Sequence, residues 1–125
     1  MRSTAVIHAT AALLLASCNP FTHACTLMAC QDGLAVEFAA APTSAFRVEA
    51  WSEVRTAPQV FECQVAEHCP SVFFENFQGE QVTVRVTTSA GVRTQQFPGV
   101  EYERIYPNGR DCGGECRQAT VTFPA

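Results

Sequence analysis

The chain has 125 residues, a formal net charge of -4 and an apolar share of 47%, which suits one domain around a single core. All eight basic residues are arginines, set against twelve acidic residues and never gathered into a run. Phosphate backbones and anionic bilayers demand clustered positive charge, so nucleic-acid binding and purely electrostatic membrane binding are excluded.

The first eighteen residues read MRSTAVIHATAALLLASC. Arg2 supplies a positive start, residues 5–16 are apolar apart from His8 and Thr10, and small residues precede Cys18. A charged start, about a dozen apolar residues and a small-residue cut site describe an export signal, too short to span a bilayer. The run has no polar face and is followed by Asn19-Pro20, which argues against a buried helix. Leu15-Ala16-Ser17-Cys18 resembles the lipobox of bacterial lipoprotein signals. That resemblance implies cleavage before Cys18, lipidation of Cys18 by palmitate-type acyl chains, and a place in the cell envelope. Asn19, where an aspartate would retain a lipoprotein in the inner membrane, implies the outer membrane facing the periplasm. An ordinary cleaved signal, with Cys18 unmodified, is the alternative. Each buried methylene contributes roughly 0.8 kcal/mol, so one chain holds marginally and the several implied here hold firmly. The expected layout is a signal peptide at 1–17, a lipid-anchored tether at 18–30 and a folded domain at 31–125.

Six further cysteines follow: Cys25, Cys30, Cys63, Cys69, Cys112 and Cys116. An even number in a short exported chain reads as a disulfide framework, because that compartment is oxidising. Their spacings miss the two-residue zinc knuckle, and no C-x-x-C redox pair occurs. Neither a metal nor a cofactor is expected.

Gln31-Asp32-Gly33 is turn chemistry, and residues 34–38 alternate as a half-buried strand. In the next strand Phe46, Val48, Ala50 and Val54 share one face, and Arg47, Glu49, Trp51, Glu53 and Arg55 the other. Phe61, Cys63 and Val65 alternate with Val60, Glu62 and Gln64, and residues 71–77 form an aromatic run. Val82, Val84 and Val86 point inward in a strand over 81–88, and Ser89-Ala90-Gly91 makes a hairpin turn into 92–97. Residues 100–106 form a weaker strand, Pro107-Asn108-Gly109 a β-turn, and Ala119, Val121 and Phe123 the inward side of a last strand. Seven or eight short strands at this spacing predict an all-β fold, a small antiparallel β-sandwich of immunoglobulin-like or transthyretin-like arrangement. A small closed barrel is the alternative.

Cys63 and Cys69 flank a short loop and are expected to pair. Cys30 precedes the first strand of the domain and Cys116 the last; if those strands run side by side, Cys25 and Cys30 meet Cys112 and Cys116. Such bridges close a loop of about ninety residues, stabilising by about 4 kcal/mol in the chain-entropy picture. Two local bridges, Cys25 to Cys30 and Cys112 to Cys116, are the alternative. The segment YPNGRDCGGECRQATV at 106–121, with the early C-x4-C and Asp32-Gly33-Leu34, resembles a group of small bacterial lipoproteins. These share a lipobox, a small β-domain, the turn PNG and a cysteine pair before the last strand. No activity is attached to the group, so the resemblance implies location and fold.

No catalytic residue is expected. His23 and His68 fall in a tether and a loop, G-x-S-x-G is absent, and the cysteines are oxidised. The carboxylate pairs Glu49/Glu53 and Glu101/Glu103 are the basis of a minor hydrolase reading, but arginines interleave them as on a solvated strand face. Trp51 stands out on that face; with Arg47 and Arg55 it is the candidate binding surface, since exposed tryptophan and arginine are enriched at interfaces. Cover by a neighbouring loop is the competing account of Trp51, and Tyr102 and Tyr106 are expected to pack at strand ends. The functional expectation is a non-enzymatic module for envelope structure or protein binding, held to the membrane by its N-terminal lipid. An inhibitor of a periplasmic or host hydrolase such as lysozyme is the alternative, from small size, disulfides and acidity.

Overall fold

A computed structural model of the protein describes residues 24–125. The expected signal peptide at 1–17, with His8, and residues 18–23 of the expected tether, including Cys18 and His23, lie outside the described residues. Residues 24–32 carry no regular structure. Eight strands follow: β1 (Gly33–Phe38), β2 (Phe46–Ser52), β3 (Gln59–Cys63), β4 (Ser71–Glu75), β5 (Val82–Thr88), β6 (Gly91–Phe97), β7 (Glu103–Ile105) and β8 (Cys116–Phe123). They form two four-stranded sheets, in the orders β4-β1-β8-β7 and β3-β2-β5-β6. The fold is the disulfide-bonded β-sandwich that the strand spacing predicts.

Alternation places the core. Leu34, Val36, Val72, Phe74, Ala119, Val121 and Phe123 of one sheet face Phe46, Val48, Ala50, Val82, Val84 and Val86 of the other, all buried. Phe38 meets Phe46 edge-on, ring centroids 5.3 Å apart, across the gap between the sheets. Such pairs add roughly 1 kcal/mol beyond the area they bury.

First and last strands are neighbours. β1 pairs antiparallel with β4 and parallel with β8, in register from Gly33↔Gln118 to Phe38↔Phe123. This pairing brings the early and late cysteines together as Cys25–Cys112 and Cys30–Cys116, with Cys63–Cys69 closing the short loop. The long-range pairing is thus the one formed.

Several expected boundaries move. Val54, expected inward, is exposed. β2 stops at Ser52, whose N–H donates to the Arg55 carbonyl and whose carbonyl accepts from the Arg55 N–H, so Val54 sits at the turn and Ser52 takes the buried position. Val65 is likewise exposed, since β3 ends at Cys63 before a single 3₁₀ turn at Ala66–His68. The aromatic run ends as a strand at Glu75, because Asn76 adopts a positive φ of 55°; Phe77 beyond it still packs into the core. Only Glu103–Ile105 of the stretch 100–106 pairs, while Val100 is buried without joining a sheet.

Candidate functional site

The outer face of the β3-β2-β5-β6 sheet carries Arg47, Glu49 and Trp51 of β2, alternating with the buried Phe46, Val48 and Ala50. Register places Arg85 of β5 directly opposite Glu49, Glu62 of β3 opposite Arg47, and Thr83 opposite Trp51. Cross-strand neighbours of this kind lie within reach of one another's side chains. Arg85 Nε donates to Glu49 Oε2 at 2.7 Å, and Arg47 lies 3.6 Å from Glu49 and 3.7 Å from Glu62.

Glu49 is 9% exposed although it stands on an outward position, a departure from the solvated face expected of it. The arginines beside it replace the water it loses. The Arg85 hydrogen bond is the main reason its carboxyl is held below the ordinary value, with the positive charges of Arg85 and Arg47 adding to it against the cost of burial. The same bond raises the Arg85 guanidinium. Arg85 also lies 5.3 Å from the centroid of the half-buried Trp51 ring, a cation–π contact. One guanidinium therefore orders an acid and an indole at once. The charges balance locally, so the face offers a fixed aromatic group among paired ions, rimmed by the exposed Val60 and Val92.

Arg55 does not join this group. It lies past the turn after β2 and lines a groove with Gln59, Phe61, Phe73 and Phe74, between the edge strands β3 and β4. Alternation in the sequence puts Arg85 outward on its strand, but its place beside Glu49 comes only from the pairing of β2 with β5.

Glu53, expected on a common strand face with Glu49, sits beyond the strand end. Its carboxylate accepts from the backbone N–H groups of Glu80 and Gln81 at 2.7 and 2.9 Å. The Glu80 bond above all holds it below the ordinary carboxylate range. Ser52 Oγ donates to the Gln78 carbonyl at 2.6 Å, and the Tyr102 hydroxyl to the Gly79 carbonyl at 3.0 Å. Together these bonds clamp the connection between β4 and β5. Gly79 is required there: its φ is 119°, and a Cβ would strike the Ser52 side chain. Burial, reinforced by the negative charge of Glu53, pushes the Tyr102 hydroxyl up to about 12.

The clamp borders a cleft of about 740 Å³ lined by Asp32, Glu80, Glu101, Tyr102, Glu103 and Arg117 among others. Asp32 is committed to the Arg117 N–H at 2.7 Å, and Glu101 and Glu103 are exposed. Glu49 is ion-paired and Glu53 holds a loop, so this pair does not flank a common space. His68 is exposed in the 3₁₀ turn inside the Cys63–Cys69 loop. Tyr106 lies under the Arg110 guanidinium, 5.2 Å from its ring centroid. Among the described residues there is no group of three or more His, Cys, Asp or Glu side chains placed to hold a metal ion, and no helix is long and apolar enough to cross a membrane. No protein family matches the chain, and no curated protein or solved structure matches it either.

Proposed function

We propose that this chain is a bacterial lipoprotein, lipidated at Cys18 and held in the cell envelope, whose sandwich acts as a non-enzymatic structural or protein-binding module. Leu15-Ala16-Ser17-Cys18 supports the anchoring, and the three disulfides agree with an oxidising compartment. The observation that carries the binding reading is Trp51 held under Arg85 on an outward sheet face. A pre-ordered indole loses little freedom on association, and tryptophan and arginine dominate the energetics of protein interfaces. The partner surface that fits is an apolar pocket with a polar rim able to take the indole N–H.

Two experiments test this. Globomycin blocks the lipoprotein signal peptidase, so the unprocessed precursor accumulates; unchanged processing removes the anchoring claim. In envelope cross-linking with the full chain, Trp51→Ala abolishes capture of a discrete partner, whereas capture undiminished by it excludes this face. The cleft lined by acidic side chains favours, as a second reading, inhibition of a basic hydrolase such as lysozyme. An activity assay on the captured partner separates the two.

A further inference from the structure

We infer that the disulfide-stapled end of the sandwich lies against the lipid leaflet itself, with Leu27 and Met28 seated at the boundary between headgroups and acyl chains. This rests on the proposed lipidation of Cys18. Leu27 is 99% exposed and Met28 60%. Single exposed apolar residues are ordinary, but these two are held in place. The bridges Cys25–Cys112 and Cys30–Cys116 fix the segment at both ends. Between them, the Asn108 side chain accepts from Thr26 Oγ1 at 2.9 Å and from the Met28 N–H at 2.7 Å, and donates to the Met28 carbonyl at 3.0 Å. Asn108 thus grips the residues on either side of Leu27 and leaves its side chain in solvent.

The occupant follows from chain length. Seven peptide steps separate Cys18 from Cys25, a reach of at most about 25 Å. A lipid on Cys18 therefore keeps this end of the domain near the bilayer. The charges beside the two bridges along the chain and across β7 and β8 are Arg104, Arg110 and Arg117 against Asp32, Glu103, Asp111 and Glu115, with no excess of positive charge. Contact must then come from apolar insertion, and a zwitterionic leaflet suffices. Two side chains are too few to anchor the domain; they orient it, which sets how the Trp51 face is presented.

The test uses the full lipidated chain carrying Leu27→Trp and Trp51→Phe, reconstituted in phosphatidylcholine vesicles with or without bromine on the upper acyl carbons. Insertion of an interfacial side chain by several ångströms predicts that the introduced indole loses about half its emission or more to the brominated lipid. In the unsubstituted chain Trp51 emission is unaffected. Adding Asn108→Ala reduces the quenching while flotation with the vesicles is unchanged. Protein that floats with an unquenched indole overturns the docking and leaves the lipid anchor standing. Protein that does not float overturns the anchor, and the docking with it.

Discussion

Removing the two long-range disulfides, singly and together, exposes how the domain is held. Cys25–Cys112 spans 87 residues of sequence and Cys30–Cys116 spans 86. In the chain-entropy picture a loop of that size is worth about 4.6 kcal/mol. The second bridge adds less, because with one long loop already closed it closes only the small ring formed by the segments 25–30 and 112–116. That ring of about eleven residues is worth about 2.8 kcal/mol. Either pair replaced by alanines therefore costs about 3 kcal/mol, whichever pair it is. All four replaced cost about 7 kcal/mol, more than the two single losses added, since only then does the long loop open. A loss of that size consumes most of the stability of a typical domain. Urea unfolding followed by Trp51 emission, in non-reducing buffer, measures each step. A four-alanine variant no less stable than either pair variant refutes the reasoning. So does a Cys25–Cys30 bridge found by proteolytic mapping of the native protein.

Three further outcomes are expected. Glu49→Gln leaves Arg85 and Arg47 facing a neutral amide and lowers stability by about 1–2 kcal/mol at pH 7. Because folding lowers the Glu49 carboxyl from 4.5, its contribution is complete above that pH and is lost as the pH falls below it. Urea midpoints between pH 7 and pH 3 therefore decline less steeply in Glu49→Gln. Tyr102 behaves in the opposite sense: folding raises its hydroxyl from 10.0 to about 12, so stability is complete below pH 10 and declines as the pH rises towards 12. Denaturant midpoints should show that decline in the unsubstituted protein and lose it in Tyr102→Phe. Gly79→Ala combines a left-handed φ with a collision against Ser52 and costs about 2 kcal/mol or more, read as a lowered midpoint with unchanged disulfides.

Some of the candidate face was legible and some was not. Strict alternation of Phe46, Val48 and Ala50 with Arg47, Glu49 and Trp51 places the latter outward whatever the topology, because successive strand residues point to opposite faces. The burial of Glu49 did not follow from that pattern. It depends on Arg85, thirty-six positions away in sequence, and long-range pairing leaves no periodic trace. Extending the period past Ser52 puts Glu53 and Arg55 on the same face. The reciprocal hydrogen bonds between Ser52 and Arg55 end the strand there and send the two side chains elsewhere.

By itself the sequence determined the composition of the layers: many short alternating segments, turn residues between them and an even number of cysteines. Those are local facts, since period and turn chemistry act over a few residues. Only the tertiary structure decided that β1 lies parallel to β8, for a parallel contact joins segments with no local signature in common. Three features rest on that one contact: the two long-range bridges, the grip of Asn108 on the segment around Leu27, and the exposure of that leucine at the stapled end.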